Sequence, residues 1–176
     1  MTPENGNSEN VTAPHGMGPQ AGSPAAVARL LDTHFPEVRE HIGEIEILQA
    51  DSCHAEVRLK FDPRFKRPGG TISGPTMFTL ADLTSYVAIL GVLGEAGVDS
   101  VTTTLTINFL ARPEPADLVC RVDILRQGRR QIVCEARIFG AEDEKLVAQA
   151  SCLYAPPANL SRRGLIFPDR LLACVL

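Results

Sequence analysis

The sequence predicts an α+β fold in which a mainly antiparallel sheet wraps around one long central helix. Three observations predict it. Six short runs alternate apolar and polar residues with the period of two that a half-buried strand requires. One stretch near the middle of the chain, from about Pro75 to Leu93, is apolar nearly all round and shows no such alternation. The order reads helix, β, β, helix, β, β, β, β, and the last strands are joined by turns short enough for hairpins.

Residues 1–23 are rich in Pro, Gly, Asn and Ser and nearly devoid of large apolar side chains. Such a segment cannot offset the entropy of ordering, so a disordered tail is expected there. Ser23-Pro24 then has the form of an N-cap followed by proline at the first helical position, opening a short helix through "AAVARLLDTHF" that Pro36 ends.

"IGEIEIL" and "CHAEVRLKF" read as two strands. In the second, Ala55, Val57, Leu59 and Phe61 alternate with His54, Glu56, Arg58 and Lys60. "DPRFKRPGGTISG" is a loop full of breakers and leads into the long helix, whose exit Gly94 and Gly97 mark. Its wholly apolar surroundings call for cover on every face, which suggests that the sheet covers part of it and a second subunit the rest.

Four more strands follow: "VTTTLTINFL", "DLVCRVDILR", "QIVCEARIF" and "KLVAQASCLYA". The turn "QGRR", with Gly128 free to adopt positive φ, joins the second of these to the third. The domain so defined runs over 24–156. A C-terminal extension, 157–176, opens on a proline stop and carries the aperiodic apolar text "LIFPDRLLACVL", suited to docking either on the body or on a partner.

At 176 residues the chain is long enough for one domain with a sizeable core. A net charge of −4 argues against a nucleic-acid surface. The longest apolar run carries Thr79, Asp82, Thr84 and Ser85, which argues against a membrane span, and the N-terminus lacks the pattern of a signal peptide, so a cytoplasmic location is expected. The four histidines form no metal-binding pair, so no metal site and no cofactor are expected. The five cysteines include no CxxC and are read as reduced core thiols.

One carboxylate, Asp82, interrupts the apolar helix. Projected at the helical angle, Pro75, Thr79, Asp82 and Tyr86 share a stripe, with Ser85 at its margin. Two readings fit. In one, Asp82 is structural, held by Thr79 and Tyr86 or facing solvent. In the other it is chemical, because the helix start at Gly74, Thr76 and Met77 offers unpaired N–H groups suited to a developing oxyanion. Pro75 has no N–H to give. Gly74 and Asp82 lie about 12 Å apart along the axis, so they serve one carbonyl only if two antiparallel helices meet in a two-fold dimer.

The element order and "SGPTMFTLAD" resemble the hotdog fold, and specifically the PaaI-type acyl-CoA thioesterases. That family carries His-Gly-Gly and, six residues on, an acid in Leu-Ala-Asp-like text. Here Ser73 stands at the His position, Gly74 and Pro75 at the two glycines, and Asp82 at the acid. "TINFLARP" is similar to the family's Asn-Phe/Tyr-Leu-Arg-Pro strand end, and "ILRQGRRQIVCEARIF" and "LVAQASCLY" are similar to its last strands. The resemblance spans about residues 40–156. It implies an acyl-CoA or aryl-acyl-CoA substrate and a homodimer, assembled as a dimer of dimers (homotetramer). It also implies that the Gly74 N–H polarises the thioester carbonyl while Asp82 acts as nucleophile or as general base on water.

Ser73 is left with capping or substrate binding, and Thr79, Ser85, Tyr86 and Asn108 are candidate substrate-binding residues. Among the basic residues flanking the site, Arg112 and Arg130 are the candidates for coenzyme A phosphates. A non-catalytic acyl-CoA binding or sensing module is the alternative. A hotdog hydratase is disfavoured, since no histidine lies between Ser73 and Leu110.

Overall fold

The computed structural model describes residues 22–158. The tail expected over 1–23 and the extension over 157–176 therefore lie outside the described residues, apart from the pairs 22–23 and 157–158.

Helix α1 (Pro24–His34) begins as the sequence predicts: the Ser23 side chain accepts from the Ala26 N–H, and Pro24 stands in the first turn. Val27 and Leu31, one turn apart, face the core. A second helix, α2 (Val38–Ile42), was not expected. Its five residues are too few to show helical periodicity, and its last residue, Ile42, had been read as the start of a strand.

Six strands form one sheet: β1 (Ile45–Ala50), β2 (His54–Leu59), β3 (Val101–Phe109), β4 (Leu118–Gln127), β5 (Ile132–Gly140) and β6 (Leu146–Ala155). Their spatial order is β1-β2-β4-β5-β6-β3, and every pairing is antiparallel. Strand β3 is thus an edge strand although it precedes β4 in the chain. The alternation in β5 and β6 buries Cys134, Ala136 and Ile138 and, from the neighbouring strand, Ala148, Ala150, Cys152 and Tyr154.

The sheet curls around α3 (Gly74–Leu93), which packs against all six strands. Leu80, Ala81, Val87, Ala88, Ile89 and Leu90 are buried around it. Gly91 permits a close approach of α3 to the β1–β2 turn, since a Cβ there would stand 2.9 Å from the Asp51 carbonyl oxygen. By length and composition α3 and the turn after it do qualify as a membrane span, against the sequence expectation. Most of that apolar surface is buried by the sheet, which is why a core helix passes the same test.

Cys120, Cys134 and Cys152 are free and buried, as expected of core thiols. Burial pushes the first two up to about 12, leaving them protonated and inert. Cys53 is the exception. It lies in the β1–β2 turn, outside the strand interior, and is disulfide-bonded.

Candidate active site

The face of α3 that the sheet leaves uncovered is the stripe found in the sequence. Pro75, Phe78 and Thr79 are exposed, and Asp82 and Tyr86 are half-buried. Alongside this stripe lies a cavity of about 450 Å³, walled by Phe35 and Val38 from the N-terminal helical segment, Leu83 and Tyr86 from α3, and Val98 and Thr102 from the approach to β3 and the strand itself. Asp82 opens into this mostly apolar space.

The carboxylate is held by two hydroxyls from the sheet. Thr102 Oγ1 donates to Asp82 Oδ1 at 2.7 Å. The Tyr154 hydroxyl lies 2.6 Å from the same oxygen and 2.8 Å from the Asp82 backbone carbonyl. Burial first, and then the Asp82 carboxylate, push the Tyr154 phenol far above its ordinary range, so it stays protonated and remains a donor. Oδ1 is thus occupied, while Oδ2 has no partner among the described residues and is the oxygen available for chemistry.

The hydroxyls expected to hold Asp82 do not. Thr79 donates to the Pro75 carbonyl at 2.9 Å, and Ser85 to the Ala81 carbonyl at 2.8 Å, each one turn back along the helix. Tyr86 donates to the Val98 carbonyl at 2.7 Å. Thr79 and Tyr86 still line the cavity, whereas Ser85 is fully buried and is not brought to it. Thr102 and Tyr154 were missed because they are distant in sequence. One signal was present: Tyr154 puts a hydroxyl at the end of the apolar series Ala148, Ala150, Cys152.

Ser73 is the N-cap of α3, its Oγ accepting from the Thr76 N–H at 3.3 Å. The helix starts one residue earlier than expected, so Gly74 is its first residue and Pro75 its second. A residue before proline resists the helical conformation partly through its own Cβ, and glycine removes that obstacle. The Gly74 N–H has no hydrogen-bond partner among the described residues. It borders a second, open apolar groove of about 380 Å³ with Phe78, Thr79, Ile107 and Phe109. Thr79 borders both the groove and the cavity.

Asn108 lies on the outer face of the sheet, donating to Gln149 Oε1 at 3.0 Å, and is not brought to Asp82. Arg112 and Arg130 are exposed at opposite ends of the sheet: β3 ends opposite Ala148, whereas Arg130 precedes Ile132, which lies opposite Tyr154. Arg130 shares the Asp82 end and, with Arg126 and Arg129, borders a cavity of about 560 Å³ at the β4–β5 turn.

Comparison with known proteins bears on the family and the fold. Residues 69–147 match the model of the thioesterase superfamily. A protein of Saccharolobus solfataricus named as an esterase is 30% identical over 107 residues, 61% of this chain and 74% of that protein. A crystal structure named as a thioesterase from Silicibacter sp. TM1040 is 31% identical, with a TM-score of 0.67 over 77% of this chain and 92% of that one. A thioesterase protein of Streptococcus pneumoniae, solved with coenzyme A, shares the fold at 21% identity and a TM-score of 0.65, over 72% of this chain and 96% of its own.

Proposed function

The chain is a hotdog-fold member of the thioesterase superfamily, and from that premise we propose that it is a PaaI-type acyl-CoA thioesterase, hydrolysing an acyl-CoA to free acid and coenzyme A. The observation that carries the reading is the Asp82 carboxylate, fixed through Oδ1 with Oδ2 open to an apolar cavity. An aspartate with a purely structural role needs no free oxygen beside a ligand-sized space.

In this reading Asp82 Oδ2 either attacks the thioester carbon, giving an anhydride that water cleaves, or takes a proton from the attacking water. The thiolate leaves in both cases. The developing oxyanion is met by the Gly74 N–H of a second copy, because the two groups of one chain are about 12 Å apart along the helix. The dimer this requires is supported by the β3 edge, where Val101, Phe109 and Leu110 are 59%, 53% and 55% exposed. A dimer of dimers in the cytoplasm is the fuller form of the proposal.

The coenzyme A bound by the Streptococcus pneumoniae protein supports the choice of substrate class, and the arginines at the β4–β5 turn, Arg130 among them, are suited to its phosphates.

The test is free-thiol release from a panel of acyl-CoAs by the wild type and by Asp82→Asn. Turnover by the wild type that the variant loses, with binding retained, is the expected result. Binding without turnover by the wild type on every substrate makes the protein an acyl-CoA binding module instead.

A further inference from the structure

We propose that Phe35, at the C-terminal end of α1, is the residue that limits the length of the acyl group. This deepens the thioesterase reading and rests on it. Phe35 caps α1 and lies outside the segment that matches the superfamily model, residues 69–147.

Phe35 and Asp82 border the same cavity. The Phe35 ring packs on Tyr86, centroids 6.3 Å apart and planes inclined at 55°. Tyr86 follows Asp82 by four residues, so it stands on the same face about 6 Å farther along α3. An acyl group whose carbonyl carbon sits at Asp82 Oδ2, and whose chain runs toward the C-terminal end of α3, therefore meets the two rings after about one helical turn. Val38, Ile42 and Leu83 line the same cavity, which suits a hydrocarbon, and Glu37 and His41 also border it.

Both rings are anchored. The Tyr86 hydroxyl is fixed to the Val98 carbonyl at 2.7 Å. Phe35 is the cap of α1, its N–H donating to the Leu31 carbonyl at 2.7 Å, and Pro36 prevents the helix from continuing. The preceding residue, His34, meets Glu95 at 2.8 Å, which ties this turn to the end of α3. Phe35 is also 48% exposed. It therefore lines the cavity while staying partly open to solvent. Shortening it removes the ring that an acyl chain running along α3 meets, which leaves room for a longer chain.

The experiment measures kcat/KM for straight-chain acyl-CoAs from acetyl to palmitoyl with wild type, Phe35→Ala and Phe35→Trp. Binding of non-hydrolysable ketone analogues of the same lengths is measured in parallel. The expected result is a wild-type profile that falls steeply beyond short and medium chains. Phe35→Ala should raise the ratio of long-chain to short-chain kcat/KM by about tenfold or more, and Phe35→Trp should lower it. Should the alanine variant prove unstable, the tryptophan variant keeps the ring packed and still reads the wall.

Turnover with an unchanged length profile in both variants overturns the role of Phe35 and leaves the thioesterase reading standing. Absence of turnover, with analogue binding whose length limit moves with residue 35, overturns the hydrolase reading and supports the wall. Absence of both turnover and binding overturns the two together.

Discussion

The Tyr154 hydroxyl stands 2.6 Å from Asp82 Oδ1, joining the last strand of the sheet to the middle of the central helix across 72 positions of sequence. Thr102, from the opposite side of the β3–β6 pair, reaches the same oxygen at 2.7 Å. The carboxylate is thereby oriented by the curled sheet and not by its own helix. Replacing Tyr154 with Phe removes one donor and keeps the ring. We expect kcat to fall by about tenfold to a hundredfold with KM little changed, because the loss is one of positioning. Stability should fall by about 1–3 kcal/mol, the range for losing a hydrogen bond to a charged group. Thr102→Val should act in the same direction. A double variant falling short of the sum of the single effects would show that both donors serve one function.

Asp82→Asn tests the chemistry more directly. The amide is nearly isosteric and can still accept from Thr102 and Tyr154, but it can neither attack a thioester nor take a proton from water. A fall in kcat of a hundredfold or more, with the affinity for an acyl-CoA analogue preserved, is expected from loss of about 3 kcal/mol of transition-state stabilisation. Equal wild-type and variant rates of thiol release would remove Asp82 from the mechanism.

The contrast between helix and site shows what was legible beforehand. The three hairpins and the stripe through Thr79, Asp82 and Tyr86 follow from periodicities that a local window contains, and the long helix follows from an apolar stretch too long for a strand. The partners of Asp82 do not. The hydroxyls nearest in sequence, on Thr79 and Ser85, are captured by carbonyls one turn back in their own helix, a competition that side chains of this type commonly enter. Those that reach the acid come from strands brought over α3 by the curl of the sheet, and only the hydroxyl ending the inward series of β6 hints at this. The five-residue α2 is hidden for another reason: it is shorter than the window in which a helical period can be recognised, yet it walls the cavity.

The proposed sharing of a site between two copies makes a quantitative prediction for mixed dimers. Asp82→Asn and Gly74→Val are each expected to be nearly inactive; the latter crowds the Phe109 ring, which already lies 3.1 Å from a Cβ built on Gly74. If Asp82 of one copy works with Gly74 of the other, a dimer of one variant with the other has one intact site of two. Random mixing then recovers about one quarter of wild-type activity. A site confined to a single chain recovers none. Activity after co-expression or joint refolding, with size-exclusion chromatography to confirm assembly, distinguishes the two.

Gly91→Ala opposes two principles. Alanine favours a helix interior by about 1 kcal/mol over glycine. Its Cβ, however, would stand 2.9 Å from the Asp51 carbonyl oxygen, which is backbone and cannot rotate away as a side chain does. The turn holding Asp51 is itself fixed, since that residue accepts from the N–H groups of Cys53 and His54. The clash should dominate, with a net loss of about 1–3 kcal/mol in urea unfolding. A gain in stability would show that the β1–β2 turn yields readily.

Asp117 supplies the pH dependence. It accepts from Lys60 Nζ at 3.0 Å and from the Phe61 N–H at 2.9 Å, fastening the end of β2 to the start of β4. Burial acts to raise its pKa, but these bonds, with the Lys60 and Arg58 charges, outweigh burial and leave it below the ordinary carboxylate value of 3.8. The folded state therefore binds the proton less readily than the unfolded chain. The sign follows: this contribution to stability is fully present above the unfolded pKa and is lost as pH falls through the lowered folded value. Asp51 is lowered likewise, through the Cys53 and His54 amides and Gln49 acting against burial. Urea midpoints should thus decline below about pH 4, and Asp117→Asn should be less stable at neutral pH and decline less steeply in acid. Parallel acid slopes for wild type and variant would show that the Asp117 carboxylate contributes nothing to the linkage.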